Sequence, residues 1–329
     1  MIPAYILKPR SQILAKELSS MRIVDLFASD FNTLSFRARR KLAHLYVYAT
    51  ARDFAHKVRV RMKHDRNPLF VTLADKYAVK EYARQRAVKT AKLYHVTTDP
   101  ETIPFANLPP SYFIKANHGW NWNIVHRDSS FFFYNYIPRM SIPDSQKETH
   151  IVALSHEACV DLCRTWLSTT YDSGEWVYEA IAPKILVEET LSDATHKEMS
   201  DYRFFAFDGK VKVIEFDNDA YRKNDYGFYA DRAWQPYKIS AAETPPVMPP
   251  KPDNLEEMIA VAERLAEGID FVRVDLYNTT QGIYLGEMTL FPEAGSIKSP
   301  SHNSAFNKWL GDQWVIDKRY FKSNRLSWW

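Results

Sequence analysis

Hydrophobic and polar positions alternate most clearly near the C-terminal end of the chain, where residues 271–292 predict a hairpin of two strands. The first strand places three apolar residues on one face and Arg273 and Asp275 on the other. The returning strand carries Glu287 and Thr289 on one face. Two carboxylates and an arginine on neighbouring strands can hold a hard divalent cation beside an anion. A surface hairpin with an exposed ion pair gives the same pattern.

The same alternation predicts further strands beyond residue 90. A second hairpin is expected over 201–216, because Asp208-Gly209 is a strong two-residue turn signal between two apolar runs. Shorter strands are expected at four places: 93–96, 111–116, 124–126 and 183–191. Strands mixed with helical segments predict a fold that contains both sheets and helices.

Helical patterns are expected in four segments: 1–65, 75–86, 151–180 and the stretch after Asn254, where Asn254 and Glu257 form a capping-box pattern. The first segment is basic, and its charged residues alternate with apolar ones. These residues are Arg37, Arg39, Arg40, Lys41, Lys57, Arg59, Arg61 and Lys63. A basic amphipathic helix can lie on the inner, anionic surface of a membrane. A solvated helix packed on the main body explains the pattern equally well.

Composition narrows the class of protein. With 329 residues, 46% of them hydrophobic, the chain can bury a large core and is expected to form two or three subdomains. The net charge of +3 is too small to indicate a nucleic-acid partner. Cys159 and Cys163 have the spacing of one buried helix face, not of a disulfide framework. No apolar run suits a signal peptide or a membrane span, and we therefore expect a cytoplasmic protein.

Two lysines stand beside short strands. Lys115 closes the strand 111–116, just before the polar loop 117–123, and Lys184 precedes the run Ile-Leu-Val-Glu-Glu. A strand, a polar loop and a lysine at its edge can bind a phosphate through main-chain N–H groups and one ammonium group. A lysine at a strand end is more often simply solvated, so this pattern alone does not decide between the two.

The order of these segments resembles that of the ATP-grasp ligases. Their amino-acid sequences resemble one branch of these enzymes, the TupA-like ATP-grasp proteins associated with teichuronopeptide synthesis. Six matching segments lie between about residues 70 and 315: Asp75-Lys76, Leu108–Gly119, Pro183–Glu189, Asp201–Lys210, Phe271–Tyr277 and Gly286–Pro292. The resemblance implies an α+β ATP-grasp fold. Two subdomains, 93–187 and 188–329, would close on a nucleotide near a hinge at Glu188. A basic helical region, 1–92, would precede them.

The resemblance implies that ATP binds between the subdomains. Lys115 and Lys184 would contact its α- and β-phosphates. Glu188 and the main chain from Glu189 to Leu191 would meet the adenine.

It also implies Mg²⁺, held by Asp275 and Glu287 with Thr289 as a further oxygen ligand. Many ATP-grasp ligases have asparagine where this chain has Thr289, and the TupA-like branch commonly has threonine. Arg203 and Arg273 would hold the γ-phosphate or an acyl-phosphate, since arginine suits a bidentate grip on such anions.

The activity implied is that of an ADP-forming carboxylate–amine ligase. Its substrates would be a small-molecule or polysaccharide carboxylate and an amine such as an amino acid, as in the joining of an amino acid to a uronic acid of a cell-surface polysaccharide. The alternative is a nucleotide- or glycan-binding protein that lacks the chemistry and serves a polysaccharide assembly complex.

The loop after His118 departs from the family pattern, which has small residues and a second glycine there. This chain has Trp120 and Trp122, and only Gly119 stays permissive for positive φ. One hypothesis is that His118, Trp120 and Trp122 contact the acceptor substrate, with an indole on the apolar side of a sugar ring. The other is that both indoles pack into the smaller subdomain.

Overall fold

The structure of the chain is a computed structural model. It describes residues 53–134, 151–171, 174–196, 199–218, 228–237, 248–295 and 304–322. The described residues belong to one compact unit, which begins at Asp53. The basic positions from Arg37 to Lys41 lie outside the described residues, and those from Lys57 to Lys63 lie within them.

The described helices are α1 Phe54–His64, α2 Leu69–Ala74, α3 Ala78–Gln85, α4 His156–Ser168, α5 Leu255–Leu265 and α6 Ser304–Asp312. The described strands are β1 Lys89–Thr90, β2 Leu93–Thr97, β3 Tyr112–Ala116, β4 Asn123–Arg127, β5 Ser130–Tyr134, β6 Ile151–Leu154, β7 Ile185–Glu189, β8 Asp201–Phe207, β9 Lys210–Asp217, β10 Phe228–Ala230, β11 Phe271–Thr279 and β12 Gly282–Thr289. Both predicted hairpins, β8–β9 and β11–β12, are confirmed.

The helix predicted over 151–180 is wrong at its start. Residues 151–154 form β6 and pair with β5, and α4 covers only His156–Ser168. The apolar run Ile-Val-Ala-Leu is compatible with either structure from its pattern alone, and pairing with the edge of β5 decides for the strand.

The other helix predictions need smaller corrections. The helix predicted over 75–86 begins at Ala78, after a break that separates it from α2. The helix after Asn254 is confirmed as α5, but the capping box does not form. The Asn254 side chain instead exchanges two amide hydrogen bonds with Asn278, at 2.9 and 3.0 Å.

Sheet 1 contains six strands in the order β2-β7-β3-β4-β5-β6, each antiparallel to its neighbours. Helix α4 packs on it with Cys159, Cys163 and Trp166 buried against the apolar side chains of β3, β4 and β7. The two cysteines are therefore one buried helix face, as their spacing predicts. Strand β7 is an inner strand next to the edge strand β2, and four of its five residues are buried. Glu188 lies within β7, and Lys184 immediately precedes it.

Sheet 2 has the order β1-β12-β11-β8-β9-β10, antiparallel except for the parallel pair of β1 and β12. Helix α1 covers one face, where Phe54 contacts the rings of Phe205, Phe207 and Phe271. Helix α5 contacts β8, β9 and β11 and covers the opposite face. Because side chains alternate along each strand, the face under α1 also carries Arg203, Arg273 and Asp275.

Helix α1 is tied to sheet 2 through its own basic residues. Arg61 is fully buried, donates to the carbonyl of Phe271 at 2.7 Å, pairs with Asp270 and lies over the ring of Trp314. The Lys57 ammonium donates to two carbonyls at the end of α6. The described part of the basic segment thus packs on the main body. No helix among the described residues has the length and apolar character needed to cross a membrane.

Candidate active site

The hairpin of β11 and β12 brings the predicted metal and anion residues together. Its register sets Asp275 opposite Glu287 and Arg273 opposite Thr289. Asp275 is 7% exposed, so an exposed surface ion pair is excluded. The four side chains form one polar group on the face of sheet 2 that α1 covers only in part.

A bulge produces this register. The pairing shifts between Asp275 and Leu276, and Gly286 lies at the shift. A Cβ atom on Gly286 would come 2.8 Å from the ring of Tyr277, so only glycine fits. Bulges next to functional sites re-aim side chains in this way.

Arg273 holds Asp275 in a bidentate grip. Its Nε donates to Oδ1 at 2.8 Å and its Nη2 to Oδ2 at 2.6 Å, while Nη2 also donates to the Thr289 hydroxyl at 3.1 Å. Burial raises the pKa of Asp275 to about 6, although the Arg273 guanidinium acts in the opposite direction. The pKa of Arg273 rises because Asp275 outweighs the effect of its burial.

Arg203 lies on β8 directly opposite Asp275. It is held by three carboxylates, Glu215 at 3.0 Å, Asp201 at 3.0 Å and Asp217 at 2.7 Å. Burial opposes its charge, but these carboxylates raise the pKa of Arg203 well above its usual value. Its Nε is buried and has no hydrogen-bond partner. Sequence reasoning missed the three acids, although strand alternation places each on the face of Arg203.

The oxygen donors of the hairpin fit Mg²⁺. Glu287 is half-buried, and its side chain makes no hydrogen bond or ion pair with another described residue. Within the described residues no group of three His, Cys, Asp or Glu side chains could hold a metal by itself. One or two carboxylates completed by substrate phosphates and water are the usual protein ligands of Mg²⁺. Asp275 and Glu287 could hold the ion in this way.

Lys115 lies in sheet 1 with its ammonium 3.0 Å from Glu188, and Lys80 of α3 lies 2.9 Å from the other oxygen of the same carboxylate. Glu188 is 4% exposed. Burial favours the neutral acid, but the two lysines outweigh it and hold the pKa of Glu188 below its usual value. Both oxygens of the Glu188 carboxylate therefore bind lysines. The carboxylate is not directed at an adenine edge, which is the role that the resemblance implies. Lys80 is absent from the predicted site.

The remaining predicted adenine residues lie at the end of β7. Glu189 closes the sheet against Lys92, since its N–H donates to the Lys92 carbonyl at 3.0 Å and its carboxylate accepts from the Lys92 N–H at 2.7 Å. Leu191 is half-buried two residues beyond the strand. The Glu189 N–H is thus already used within sheet 1.

A buried asparagine joins the segments that carry the lysines. The Asn117 amide donates to the Asp75 carboxylate at 2.9 Å and to the Ala182 carbonyl at 3.0 Å. Its Oδ1 accepts from the N–H of Lys184 at 2.7 Å. The Asn117 carbonyl accepts from the N–H of Lys76 at 3.1 Å. The sequence shows Asn117 only as the start of a loop, and gives no signal for this role.

Lys76 faces both sheets. Its ammonium donates to the Gly119 carbonyl at 2.5 Å. Burial lowers the pKa of Lys76, and the charges acting on it include Glu287 of sheet 2 and Lys115 and Glu188 of sheet 1. Lys76 therefore contacts the polar loop and lies close enough to Glu287 to feel its charge. The Asp75-Lys76 segment supports the family resemblance, but the sequence assigns it no role.

The three residues predicted to contact the acceptor substrate have different environments in the structure. The ring of Trp122 stacks on Trp166 at 6.2 Å with 4° between planes. His118 is buried, with Nε2 close to the carbonyls of Trp166 and Thr169 and Nδ1 close to Oδ1 of Asn117. Burial lowers the pKa of His118. Trp122 and His118 therefore lie in the core of sheet 1. For Trp122 this agrees with the hypothesis that the indoles pack into the smaller subdomain.

Trp120 remains 51% exposed. The sequence indicates Gly119 as the loop residue suited to positive φ, and this needs correction. In the structure the loop residue with positive φ is Asn121, at 59°. Gly119 is required for another reason. A Cβ atom there would come 2.6 Å from the ring of Trp122.

Because Trp122 is packed and Trp120 is exposed, we expect their replacement by alanine to have different effects on stability. Trp122→Ala should lower the free energy of unfolding by about 3–5 kcal/mol, since it opens a cavity beside Trp166. Trp120→Ala is the matched control and should change it by about 0.5 kcal/mol or less. Urea unfolding of both variants measures the difference. Equal stability of the two variants would contradict the assignment of Trp122 to the core.

The profile of the family described as TupA-like ATPgrasp matches residues 56–315. Similar solved structures include D-alanine–D-alanine ligase from Bacillus anthracis, with 17% identity over 74% of this chain and 66% of that chain and a TM-score of 0.39. N5-carboxyaminoimidazole synthetase from Staphylococcus aureus complexed with ADP has 10% identity over 75% of this chain and 53% of that chain, with a TM-score of 0.40. The chain thus spans less than two thirds of their length. A search of curated proteins found no match.

Proposed function

The chain belongs to the TupA-like ATP-grasp family and has its α+β fold, and from this premise we propose that it is an ADP-forming carboxylate–amine ligase. The observation that carries the proposal is the pairing of Asp275 and Glu287 beside Arg273, with Lys76 close to Glu287 and to Lys115 of sheet 1. A protein that only binds a glycan has no need for this arrangement of opposite charges.

The reaction has two steps. A carboxylate oxygen of the first substrate forms a bond to the γ-phosphorus of ATP, and the bond to the ADP oxygen breaks. The amine nitrogen of the second substrate then forms a bond to the acyl carbon, phosphate leaves with the bonding electron pair, and the nitrogen gives up a proton. Both steps concentrate negative charge, so catalysis is chiefly positioning and electrostatic stabilisation.

Residues of sheet 1 suit the nucleotide. We propose that Lys115 and Lys184 contact the α- and β-phosphates, with Lys76 as a third cation for the same anion. Glu188 then acts by positioning Lys115, and the main chain from Glu188 to Leu191 lies beside the adenine. Closure of 93–187 on 188–329 would bring this set to sheet 2.

Residues of sheet 2 suit the reacting groups. Asp275 and Glu287, with Thr289 near them, would hold Mg²⁺. Bound Mg²⁺ supplies neutralisation of the phosphate charge. Arg273 and Arg203 would hold the γ-phosphate and then the acyl-phosphate. The buried Nε of Arg203, which lacks a partner, is a donor that such an anion can use.

For the biological role we propose amide formation on a cell-surface polysaccharide or its precursor in the cytoplasm, with an amino acid as the amine and a uronic acid as the carboxylate. Family membership supports this choice. Peripheral contact with the inner membrane surface through the basic N-terminal segment is part of the same proposal.

The test is incubation of the protein with Mg·ATP and pairs of uronic acids and amino acids, with phosphate release and product mass as readouts. Phosphate release that requires both substrates, together with a product heavier by the amine and lighter by one water, is the expected result. Tight ATP binding without phosphate release for every pair would favour the nucleotide-binding alternative.

Nucleotide affinity should depend on Lys184. Lys184→Ala is expected to raise the ATP dissociation constant about 10- to 100-fold, because a charge-assisted phosphate contact contributes about 1.5–3 kcal/mol. Lys212→Ala, which removes an exposed lysine on β9, is the matched control and should have no effect. Calorimetry measures both. Unchanged affinity in the Lys184 variant would place that side chain away from the nucleotide. The assignment of the family's site residues to positions of this sequence would then need revision.

A further inference from the structure

Glu188 lies between two lysines, and the three charges do not cancel. One oxygen of its carboxylate is 2.9 Å from the ammonium of Lys80, and the other is 3.0 Å from the ammonium of Lys115. Two positive charges thus face one negative charge. Charged groups that are buried only to support the fold are most stable as neutral sets, because an uncompensated charge costs desolvation free energy. The excess positive charge suits a negatively charged ligand.

The excess charge is directed to one side of this group. The side chain of Glu188 is 5% exposed and that of Lys80 is 15% exposed, whereas that of Lys115 is 28% exposed. Glu188 is the only oxygen acceptor that the described residues give the Lys115 ammonium, so two of its three N–H donors remain available to a ligand. Lys115 is therefore the lysine that an anion can reach.

Lys80 is held more firmly by the protein itself. Its ammonium also donates to the carbonyl of Ala91 at 2.8 Å, and Ala91 lies between β1 of sheet 2 and β2 of sheet 1. Burial lowers the pKa of Lys80, while the charge of Glu188 acts in the opposite direction. The contacts of Lys80 are thus with fixed acceptors of the protein, on the enclosed side of Glu188.

Helix α3 fixes the position of Lys80. Its apolar residues Val79, Tyr82 and Ala83 belong to the hydrophobic core of sheet 2, and the Tyr82 hydroxyl donates to the carbonyl of Leu265 at 2.8 Å. Lys80 therefore extends from a helix that packs with sheet 2 to a carboxylate of sheet 1. A lysine held in this way supplies its counter-charge at a fixed place before any ligand binds.

The charge balance at Lys115 depends on this second lysine. Without Lys80, Glu188 would face Lys115 alone, and the remaining pair would be neutral. A phosphate would then meet an ammonium whose charge is cancelled by a carboxylate 3.0 Å away. With Lys80 present, Glu188 is compensated at its other oxygen, and Lys115 keeps a net attraction for an anion.

We propose that Lys80 is a positioning residue of the nucleotide site, which compensates the charge of Glu188 and so leaves Lys115 with a net attraction for a phosphate group. Lys80 itself does not touch the nucleotide. This role rests on the proposed function for the identity of the anion, because Lys115 is assigned there to the α- and β-phosphates of ATP.

The test measures the ATP dissociation constant of four variants by calorimetry. Lys80→Met removes the charge but keeps most of the side-chain volume, and it should raise the constant about tenfold or more. Lys80→Arg keeps the charge and should stay within about threefold of the wild type. The double variant Lys80→Met/Glu188→Gln removes both charges but keeps an oxygen for Lys115, so it should also recover to within about threefold. Lys212→Met, at an exposed lysine of β9, is the matched control and should have no effect.

The double variant separates compensation of Glu188 from two other roles of Lys80. If Lys80 bound a phosphate directly, Lys80→Met and the double variant would bind ATP equally weakly, and the proposal would be overturned. If Lys80 only supported the fold, Lys80→Met would unfold at lower urea concentration, but its folded form would bind ATP like the wild type. That result would overturn the proposal as well.

Salt dependence gives a second readout, which a purely structural role does not change. The ATP dissociation constant of Lys80→Met should rise less steeply with salt concentration than that of the wild type, because one positive charge near the nucleotide is missing. The double variant, in which the net charge is restored, should follow the wild type. The same salt dependence in Lys80→Met and the wild type would contradict the assigned role.

Phosphate release separates the role of Lys80 from the proposed function. ATP binding that depends on Lys80 as described, without phosphate release for any substrate pair, would uphold this role and reject the ligase. Phosphate release with a substrate pair, together with normal ATP binding in Lys80→Met, would reject the role and leave the ligase intact. A wild-type protein that does not bind ATP would overturn both.

Discussion

Replacing Glu287 by glutamine should lower ADP formation by about 100-fold or more, while the protein stays folded. Glutamine keeps the volume and one oxygen but removes the negative charge that a divalent cation requires. Loss of one preorganised electrostatic contact at a reacting phosphate typically lowers the rate by about 10²–10³-fold. The Glu287 side chain makes no hydrogen bond or ion pair with another described residue, so the substitution breaks none and leaves the main-chain pairing with Asp275 in place.

The measurement is ADP production under saturating ATP, with circular dichroism and urea unfolding as tests of the fold. Glu257→Gln is a matched control, since Glu257 is an exposed residue of α5 on the opposite side of sheet 2. A Mg²⁺ titration adds a second readout, because the Glu287 variant should need a higher Mg²⁺ concentration for ATP binding. Turnover at the wild-type rate would remove Glu287 from the metal site.

The local pattern of the sequence is sufficient to predict the strands that carry the candidate site residues. Alternation alone places Arg273 and Asp275 on one face of β11 and predicts the return of Glu287 on β12. It cannot predict the bulge at Gly286, since that depends on the ring of Tyr277 lying over the glycine. Without the bulge the direct pairing of the two carboxylates does not follow.

Contacts between distant segments are where sequence reasoning fails. The family resemblance implies a hinge and an adenine contact at Glu188, yet its carboxylate is held by Lys115 and by Lys80 of α3, 108 residues before it. Trp122 reads as a loop residue that is available to a ligand, but α4 supplies Trp166 for it to stack on. In both cases the partner lies on another element, and no local pattern encodes it.

Replacing Asn117 is the second change for which we expect a large effect, here on stability. Asn117 is fully buried, and its side chain joins the start of α3, the end of β3 and the start of β7. Asn117→Ala removes both amide donors and the acceptor for the Lys184 N–H, which leaves buried polar groups without partners. Each such group costs about 1–3 kcal/mol, and we expect the free energy of unfolding to fall by about 3–5 kcal/mol. Urea unfolding measures this loss.

Asn107→Ala is the matched control, since Asn107 is exposed, and it should change stability by about 0.5 kcal/mol or less. Asn117→Asp separates the two halves of the amide. It keeps an oxygen for the Lys184 N–H but sets a carboxylate against Asp75 and the Ala182 carbonyl, so it should destabilise at least as much as alanine. ATP affinity of the folded fraction should fall about tenfold or more in both variants, because each loses the amide donor that holds Asp75, the neighbour of Lys76. A variant that is destabilised but binds ATP normally would show that Asn117 supports the fold without positioning the lysines.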